Sequence, residues 1–292
     1  MLEKDDFLKW VNASHHMFEI FEGRNDAYPL AKKWIREWSD FGKFIIDERD
    51  NGIVNLLITS FDYDVFRNFN DKIERNDDEW TKLVNEVDRQ FKKLIENNLK
   101  AGECKNVGFA VAPFLFTWNF QRFKEYFKKR KEDFDIESYF KDLGNFLSGK
   151  KEVLRGFKDK HLIYDEIEKE RVMQICDEIK GKRKETGIGN NEPIGTIKLL
   201  HVFAPCYFPL IDNDIAKTIG GLLPSKWESL TSDSYLKWMN ALKSWLQNYS
   251  EVINRLEEEY DSSILKLIDE GLYMMSTVKQ RARIARLGIE VK

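Results

Sequence analysis

The chain has 292 residues with 47 Lys and Arg against 50 Asp and Glu, and its formal net charge of −3 does not favour binding of polyanions through bulk charge. Hydrophobic residues make up 42% of the chain and aromatic residues 13%, which is enough for a substantial core. No apolar run approaches the roughly 20 residues of a membrane span, and residues 1–6 are too charged for a secretory signal, so we expect a cytoplasmic protein that does not enter a membrane.

Only 6 prolines and 16 glycines interrupt the chain, so long stretches can form helices and we expect an all-α fold. The three cysteines, Cys104, Cys176 and Cys206, are scattered, and no pair has the spacing of metal ligands. Together with only 4 histidines they predict neither a disulfide framework nor a zinc site, and a reducing compartment suits them. The length allows two helical lobes or one large helical domain.

The first elements are predicted from their apolar spacing. Residues 3–22 have the pattern of an amphipathic helix. Pro29 is predicted to open a second helix, in which Trp34 and Trp38 lie on one face and are core aromatics. The turn between these helices is predicted from the polar residues at 23–26.

Residues 42–61 fit two structures. They read either as two strands around a turn at 50–52 or as buried helix, and we favour helix after Gly52 because the neighbouring pattern is helical. Residues 63–100 then repeat their apolar positions every three or four residues, which predicts one or two long helices.

The segment from Lys100 to Gly108 contains glycine and polar residues and is the best candidate for a boundary between lobes. It divides the chain into an N-terminal helical lobe, residues 1–104, and a helical lobe with the candidate site, residues 105–292. In the second lobe, residues 136–148 and 151–181 are predicted as helices.

The stretch from Pro193 to Gly220 predicts a helix, a turn stiffened by Pro205 and Pro209, and a second helix. Asp212 is placed at the N-cap of that second helix. Farther on, helices are predicted for residues 232–248 and for residues 263–275, the latter capped by Ser262. On residue types alone the plainest interpretation of the region is structural: a capping Asp212, a Lys198 that solvates its helix and a His201 satisfied in the core.

The same stretch resembles the segment of helix-hairpin-helix DNA glycosylases that leads from the hairpin to the catalytic aspartate. Residues 187–220 carry the resemblance, and Pro209-Leu-Ile-Asp-Asn-Asp-Ile215 is similar to the family's proline-to-aspartate motif with one extra residue after the proline. The resemblance implies a helix-hairpin-helix-like element near 187–220, with Asp212 as the catalytic aspartate. It makes Lys198 the nearest match to the lysine that forms a Schiff base in bifunctional members, and it implies DNA as the partner and no cofactor.

Base excision requires a flipped base held between aromatic or apolar walls, and an anion beside the sugar where positive charge develops. Asp212 is predicted to supply that anion, since a helix N-terminus keeps a carboxylate ionised. The predicted substrate-binding residues are His201, Trp118, Asn119, Arg122, Tyr207 and Phe208. The predicted phosphate contacts are Lys182, Arg183, Lys184, Arg281 and Arg283, which belong to two basic segments.

We therefore expect a diverged base-excision glycosylase that cleaves an N-glycosidic bond in DNA. The alternative is a non-catalytic helical protein that keeps the motif for packing and binds nucleic acid or a protein partner. The sequence contains no phosphate-cradling Gly-Lys-Ser/Thr loop, no dinucleotide fingerprint and no His-Glu-x-x-His motif, which disfavours enzymes built on those motifs.

Overall fold

The computed structural model describes residues 3–21, 26–60, 78–130, 135–185, 193–211, 215 and 231–286. Within these residues the fold is all-α, as the sequence predicts, with one antiparallel pair of three-residue strands. None of the helices in these ranges is both long enough and apolar enough to span a membrane.

The described elements follow one another along the chain in this order. They are α1 (Lys4–Phe21), α2 (Tyr28–Phe41), β1 (Phe44–Ile46), α3 (Glu48–Ser60), α4 (Asp78–Asn98), β2 (Gly102–Cys104), α5 (Val107–Arg130), α6 (Ile136–Gly149), α7 (Lys151–Lys158), α8 (Lys169–Glu185), α9 (Pro193–Phe203), α10 (Ser232–Leu246), a 3₁₀ turn (Gln247–Tyr249), α11 (Ser250–Tyr260) and α12 (Ile264–Arg286).

The chain forms two compact units that are not continuous in sequence. The first draws on Met1–Arg24, Val153–Lys180 and Asn191–Lys292, and the second on Asn25–Glu152 and Gly181–Asn190. This division differs from the predicted boundary near residue 104. The reason is that β2 pairs with β1 inside the second unit, while α1 packs against α12 in the first.

The core of the second unit is a layer of helices around α5, which contacts α2, α4 and α6. Pro29 lies in the first turn of α2, where its missing N–H costs no hydrogen bond. Trp34 and Trp38 are buried as predicted, and Trp34 stacks on Phe44 of β1 at 5.2 Å between ring centroids. The amphipathic spacing of these helices thus predicts their buried faces correctly.

The ambiguity at residues 42–61 resolves into both kinds of element. Phe44–Ile46 is a strand with alternating burial, in antiparallel register with residues 102–104. Residues 48–60 are helical, as we favoured, but the helix begins before Gly52, and residues 50–52 form no turn. The predicted helical residues 61–77, and residues 23–25 of the predicted turn, lie outside the described part of the chain.

In the first unit, α1 is anchored to α10 and α12 through aromatic and ionic contacts. Phe7 stacks on Tyr249 at 4.0 Å and meets Trp245 edge-on at 5.7 Å. His15 of α1 lies 2.8 Å from a carboxylate oxygen of Glu270 on α12. These contacts join the first and last helices of the chain, so the unit cannot be a continuous stretch of sequence.

Two sequence predictions in this unit are wrong in detail. Residues 151–181 are not one helix, because residues 159–168 leave the helical path and bond to the turn after α9. Leu162 donates its N–H to the carbonyl of Cys206 at 2.8 Å. The cap of α12 is Ser263 and not Ser262, since Ser263 Oγ accepts the N–H of Lys266 at 3.2 Å.

Candidate functional site

Helix α9 and the turn after it lie where the sequence predicts them. The helix ends at Phe203, two residues before Pro205, and the N–H groups of Tyr207 and Phe208 both donate to the carbonyl of Ala204 at 3.0 Å. These two backbone N–H groups therefore find their hydrogen-bond acceptor within the turn. Asp212 and the helix predicted after it lie outside the described residues, except for the helical and buried Ile215.

The side chains predicted to bind substrate around this turn are core residues. His201 is fully buried, and its Nδ1–H donates to the Phe208 carbonyl at 2.7 Å, because a carbonyl can only accept. Phe208 is fully buried and meets Phe157 edge-on at 5.0 Å. Both side chains hold the turn against α7, and their predicted role in binding substrate stays a prediction.

Tyr207 ties the turn to residues 159–168. Its hydroxyl donates to the carbonyl of Glu166 at 3.1 Å and accepts the N–H of Glu168 at 2.9 Å. Burial raises the pKa of Tyr207, so the phenol keeps its proton at neutral pH and can donate. Tyr207 thus joins the turn to residues 166–168 within the core, and its predicted role as an aromatic wall for a base stays a prediction.

Lys198 is the predicted catalytic residue that the structure describes. It lies on α9 and only 8% of its surface is exposed, with the fully buried Leu199 beside it. Lysine is rarely buried to this degree without a role in packing, pairing or chemistry. The interpretation that Lys198 merely solvates its helix is therefore wrong.

The remaining predicted residues lie on helices α5, α8 and α12. Trp118, Asn119 and Arg122 lie on α5, Lys184 on α8, and Arg281 and Arg283 on α12, with side chains outside the described part. Lys182 is half-buried and lies 3.5 Å from a Glu185 oxygen. Arg183 is 2% exposed, and its predicted contact with backbone phosphates stays a prediction.

A groove of about 440 Å³ opens beside the start of α8 and α10. Its walls include Lys169 at the first turn of α8, and Lys237 and Asn240 on α10, with Asp233 and two apolar residues. Both lysines are exposed. The groove belongs to the same unit as α9, and its lining carries two lysines and one aspartate.

A second group of polar side chains comes from three distant segments. His161 lies between α7 and α8, Cys206 in the turn after α9, and Glu257 on α11. One imidazole nitrogen, the thiol sulfur and one carboxylate oxygen all lie within 4.8 Å of one another. We refer to these three residues as the His161–Cys206–Glu257 cluster.

Each member of this cluster is partly buried and held in place. His161 Nε2 is 3.3 Å from both Glu257 oxygens, and His161 Nδ1 accepts the N–H of Ile163 at 3.2 Å. Glu257 Oε1 also accepts the N–H of Ile264, the first residue of α12, at 2.7 Å. The members of the cluster have no local spacing that would predict it, and only the folded chain brings them together.

Comparison with known proteins returns no relative. No family model matches the chain, and no curated protein and no solved structure matches it significantly. The functional conclusions below therefore rest on the chemistry of the residues themselves.

Proposed function

We propose that the protein removes bases from DNA as a diverged relative of the helix-hairpin-helix glycosylases, with Lys198 as nucleophile and Asp212 as the stabilising carboxylate. The motif at 209–215 supports this proposal, and the observation that carries it is the burial of Lys198. Removal of an amine from water disfavours its charged form, and the neutral amine is the form that attacks carbon.

The reaction follows from these two groups. The neutral Lys198 nitrogen bonds to the anomeric carbon of the sugar while the carbon–nitrogen bond to the base breaks, and the proton that the attached nitrogen gives up goes to the leaving base. The neutral adduct then forms the carbon–nitrogen double bond of the Schiff base as the bond from the anomeric carbon to the ring oxygen breaks, and that oxygen takes a proton from water. The Asp212 carboxylate offsets the positive charge that develops on the sugar, an electrostatic contribution typically worth about 10² or more in rate.

Borohydride trapping tests the proposal directly. The full chain is incubated with a panel of lesion-bearing and mismatched duplexes, and reduction is expected to leave one covalent protein–DNA adduct. Lys198→Met removes the amine but suits a buried position, so we expect it to fold and to form no adduct. Lys141→Gln, a control that removes an exposed lysine of α6 outside the predicted site, should trap as the parent does.

Two outcomes would contradict the proposal. If the parent excises no base from any duplex, or if Lys198→Met still forms the adduct, the assignment of Lys198 as nucleophile fails. Asn caps helices as well as Asp does, so at the N-cap predicted for residue 212 the variant Asp212→Asn should leave thermal stability nearly unchanged while excision slows by about 10² or more.

A second candidate is a protein that binds nucleic acid without catalysis, and the groove with Lys169 and Lys237 favours it. Two ammonium groups beside one groove can bind successive phosphates, and removal of each should change the log–log salt slope by about 0.9 on duplex DNA. Lys169→Gln and Lys237→Gln together should flatten the salt dependence, whereas Lys141→Gln on α6 should not. Salt-sensitive binding that shows this change, with no excision, would favour this candidate over the glycosylase.

A further inference from the structure

The donor atoms of the His161–Cys206–Glu257 cluster are those that borderline-soft metals prefer. Zinc sites are built from thiolate sulfur, imidazole nitrogen and carboxylate oxygen, and catalytic zinc sites commonly use three protein ligands and one water. Calcium and magnesium prefer oxygen donors throughout, so a set with sulfur and nitrogen does not suit them. The composition of the cluster therefore indicates a transition metal.

Backbone hydrogen bonds position each of the three residues. The N–H of Leu162 donates to the Cys206 carbonyl at 2.8 Å and joins the His161 segment to the Cys206 turn. The N–H of His161 donates to Asp165 Oδ2 at 2.6 Å, which closes the loop around the histidine. The Glu257 carboxylate is held by Ile264, as described above. Ligands that are oriented before the metal arrives lose less freedom when it binds.

The geometry is not that of a thiol–imidazole–carboxylate relay. A relay requires the imidazole to face the thiol with one nitrogen and the carboxylate with the other. Here Nδ1 of His161 faces the N–H of Ile163, and Nε2 faces both oxygens of Glu257. The imidazole thus directs one nitrogen to the backbone and the other to the carboxylate, and one ring nitrogen, the thiol sulfur and one carboxylate oxygen lie within 4.8 Å of one another.

We propose that His161, Cys206 and Glu257 bind one divalent transition-metal ion of the zinc class, with water in the fourth position. The 3.3 Å between His161 Nε2 and the Glu257 oxygens is close to the roughly 3.4 Å edge of a tetrahedral site with bonds near 2.1 Å. The sulfur, within 4.8 Å of its partners, needs a shift of about 1 Å, which a side-chain rotation supplies.

Metal binding changes the protonation of Cys206 and His161 and one hydrogen bond of His161. The Cys206 thiol loses its proton to become a thiolate, and His161 Nε2 must be unprotonated to bind the ion. The remaining imidazole proton then occupies Nδ1, so the hydrogen bond from the Ile163 N–H opens. Metal binding is therefore expected to release protons, to weaken as pH falls, and to shift the amide resonance of Ile163.

The test is a titration of the reduced, metal-stripped full chain with Zn²⁺ by calorimetry and with Co²⁺ by absorption. We expect one equivalent to bind, with a near-ultraviolet thiolate-to-cobalt charge-transfer band. Cys206→Ser should abolish the band and weaken Zn²⁺ binding by at least about 100-fold, because loss of an outer-shell partner already costs about 10–100-fold. Cys104→Ser, which removes a half-buried thiol of the second unit, should change neither.

Glu257→Gln provides a second variant that preserves the fold. Its amide oxygen can still accept the N–H of Ile264, so circular dichroism and thermal unfolding should match the parent without metal. It should bind Zn²⁺ at least about 10-fold more weakly, since an amide oxygen is a poorer ligand for zinc than a carboxylate. Failure of the parent to bind one equivalent, or parental Zn²⁺ and Co²⁺ binding by Cys206→Ser, overturns the proposal. Neither result depends on base excision.

Discussion

Gly108 and Gly144 lie in contact where α5 crosses α6, and neither position has room for a side chain. A Cβ atom on Gly144 would lie 2.5 Å from the backbone nitrogen of Gly108, and one on Gly108 would lie 1.8 Å from the carbonyl oxygen of Phe140. Real Cβ atoms do not approach backbone atoms so closely, so the crossing requires glycine on both helices.

We therefore expect Gly144→Ala to lower the free energy of unfolding by about 1–3 kcal/mol, the usual cost of overpacking. Gly52→Ala is the matched control, because that glycine lies inside α3 with no atom within 4 Å of an added Cβ. It should be neutral or stabilise by up to about 1 kcal/mol. Urea denaturation of both variants measures the difference, and equal stability would show that the two helices can move apart at no cost.

The buried carboxylate of Asp50 supports a second stability prediction. It accepts the indole N–H of Trp34 at 2.9 Å and an ammonium N–H of Lys33 at 2.8 Å. Asp50→Ala leaves the buried indole without this acceptor and the ammonium without this carboxylate, so we expect a loss of about 3 kcal/mol in unfolding free energy. Chemical denaturation provides the measurement.

Asp47→Asn is the matched control for Asp50, because its amide oxygen can still accept the N–H of Asp50, which Asp47 Oδ1 accepts at 2.8 Å. Asp47 also contacts Lys33, at 2.9 Å, but its side chain is 51% exposed whereas that of Asp50 is 5% exposed. Exposed ion pairs contribute about 0–1 kcal/mol, so this variant should lose far less stability. A similar loss in both variants would contradict the role assigned to burial.

His15 predicts how stability depends on pH. The hydrogen bond to the Glu270 carboxylate raises the pKa of His15 above its usual 6.5; the charge of Glu19 acts in the same direction, while burial and Lys266 oppose it. A raised pKa means that the folded state binds the proton more tightly than the unfolded state. The stabilisation is therefore complete below pH 6.5 and is lost as the pH rises through the folded-state value.

Urea midpoints measured from about pH 5 to pH 9 check this prediction. The difference in stability between the parent and His15→Gln should shrink as the pH rises. His16→Gln is the control, because His16 is exposed on the adjacent position of α1. A parent-to-variant difference that does not change with pH would show that the His15–Glu270 contact is not an ion pair.

The three thiols should differ in reactivity. Cys176 is buried, and burial raises its pKa to about 12, so its reactive thiolate is scarce at neutral pH. Cys104 and Cys206 are half-buried, although burial also raises the pKa of Cys104. Iodoacetamide should label Cys104 and Cys206 in the native protein before Cys176, as read by peptide mass spectrometry.

The same experiment links reactivity to the proposed metal site. One equivalent of Zn²⁺ should protect Cys206 from alkylation and leave the labelling of Cys104 unchanged. Equal protection of both thiols would indicate a general effect of the ion, and rapid labelling of Cys176 would contradict the burial of that side chain.

Local sequence patterns determined much of this fold. The spacing of Trp34 and Trp38 predicted a buried face of α2, and Pro205 predicted the end of α9 to within two residues. The plain interpretation of His201 as a core histidine was also available from the sequence, and His201 is fully buried with Nδ1 bonded to the Phe208 carbonyl. These features follow from helical periodicity and proline geometry, which act over a few residues.

Only the tertiary structure decided the features that depend on distant partners. Residues 159–168 contain neither proline nor glycine, so nothing local ends the predicted helix, and the hydrogen bonds to Cys206 and Tyr207 hold the segment in another path. The approach of His161, Cys206 and Glu257 has the same origin, since three segments far apart in sequence must first pack together. Hydrophobic spacing shows which face of an element is buried, but it does not show which other element covers that face.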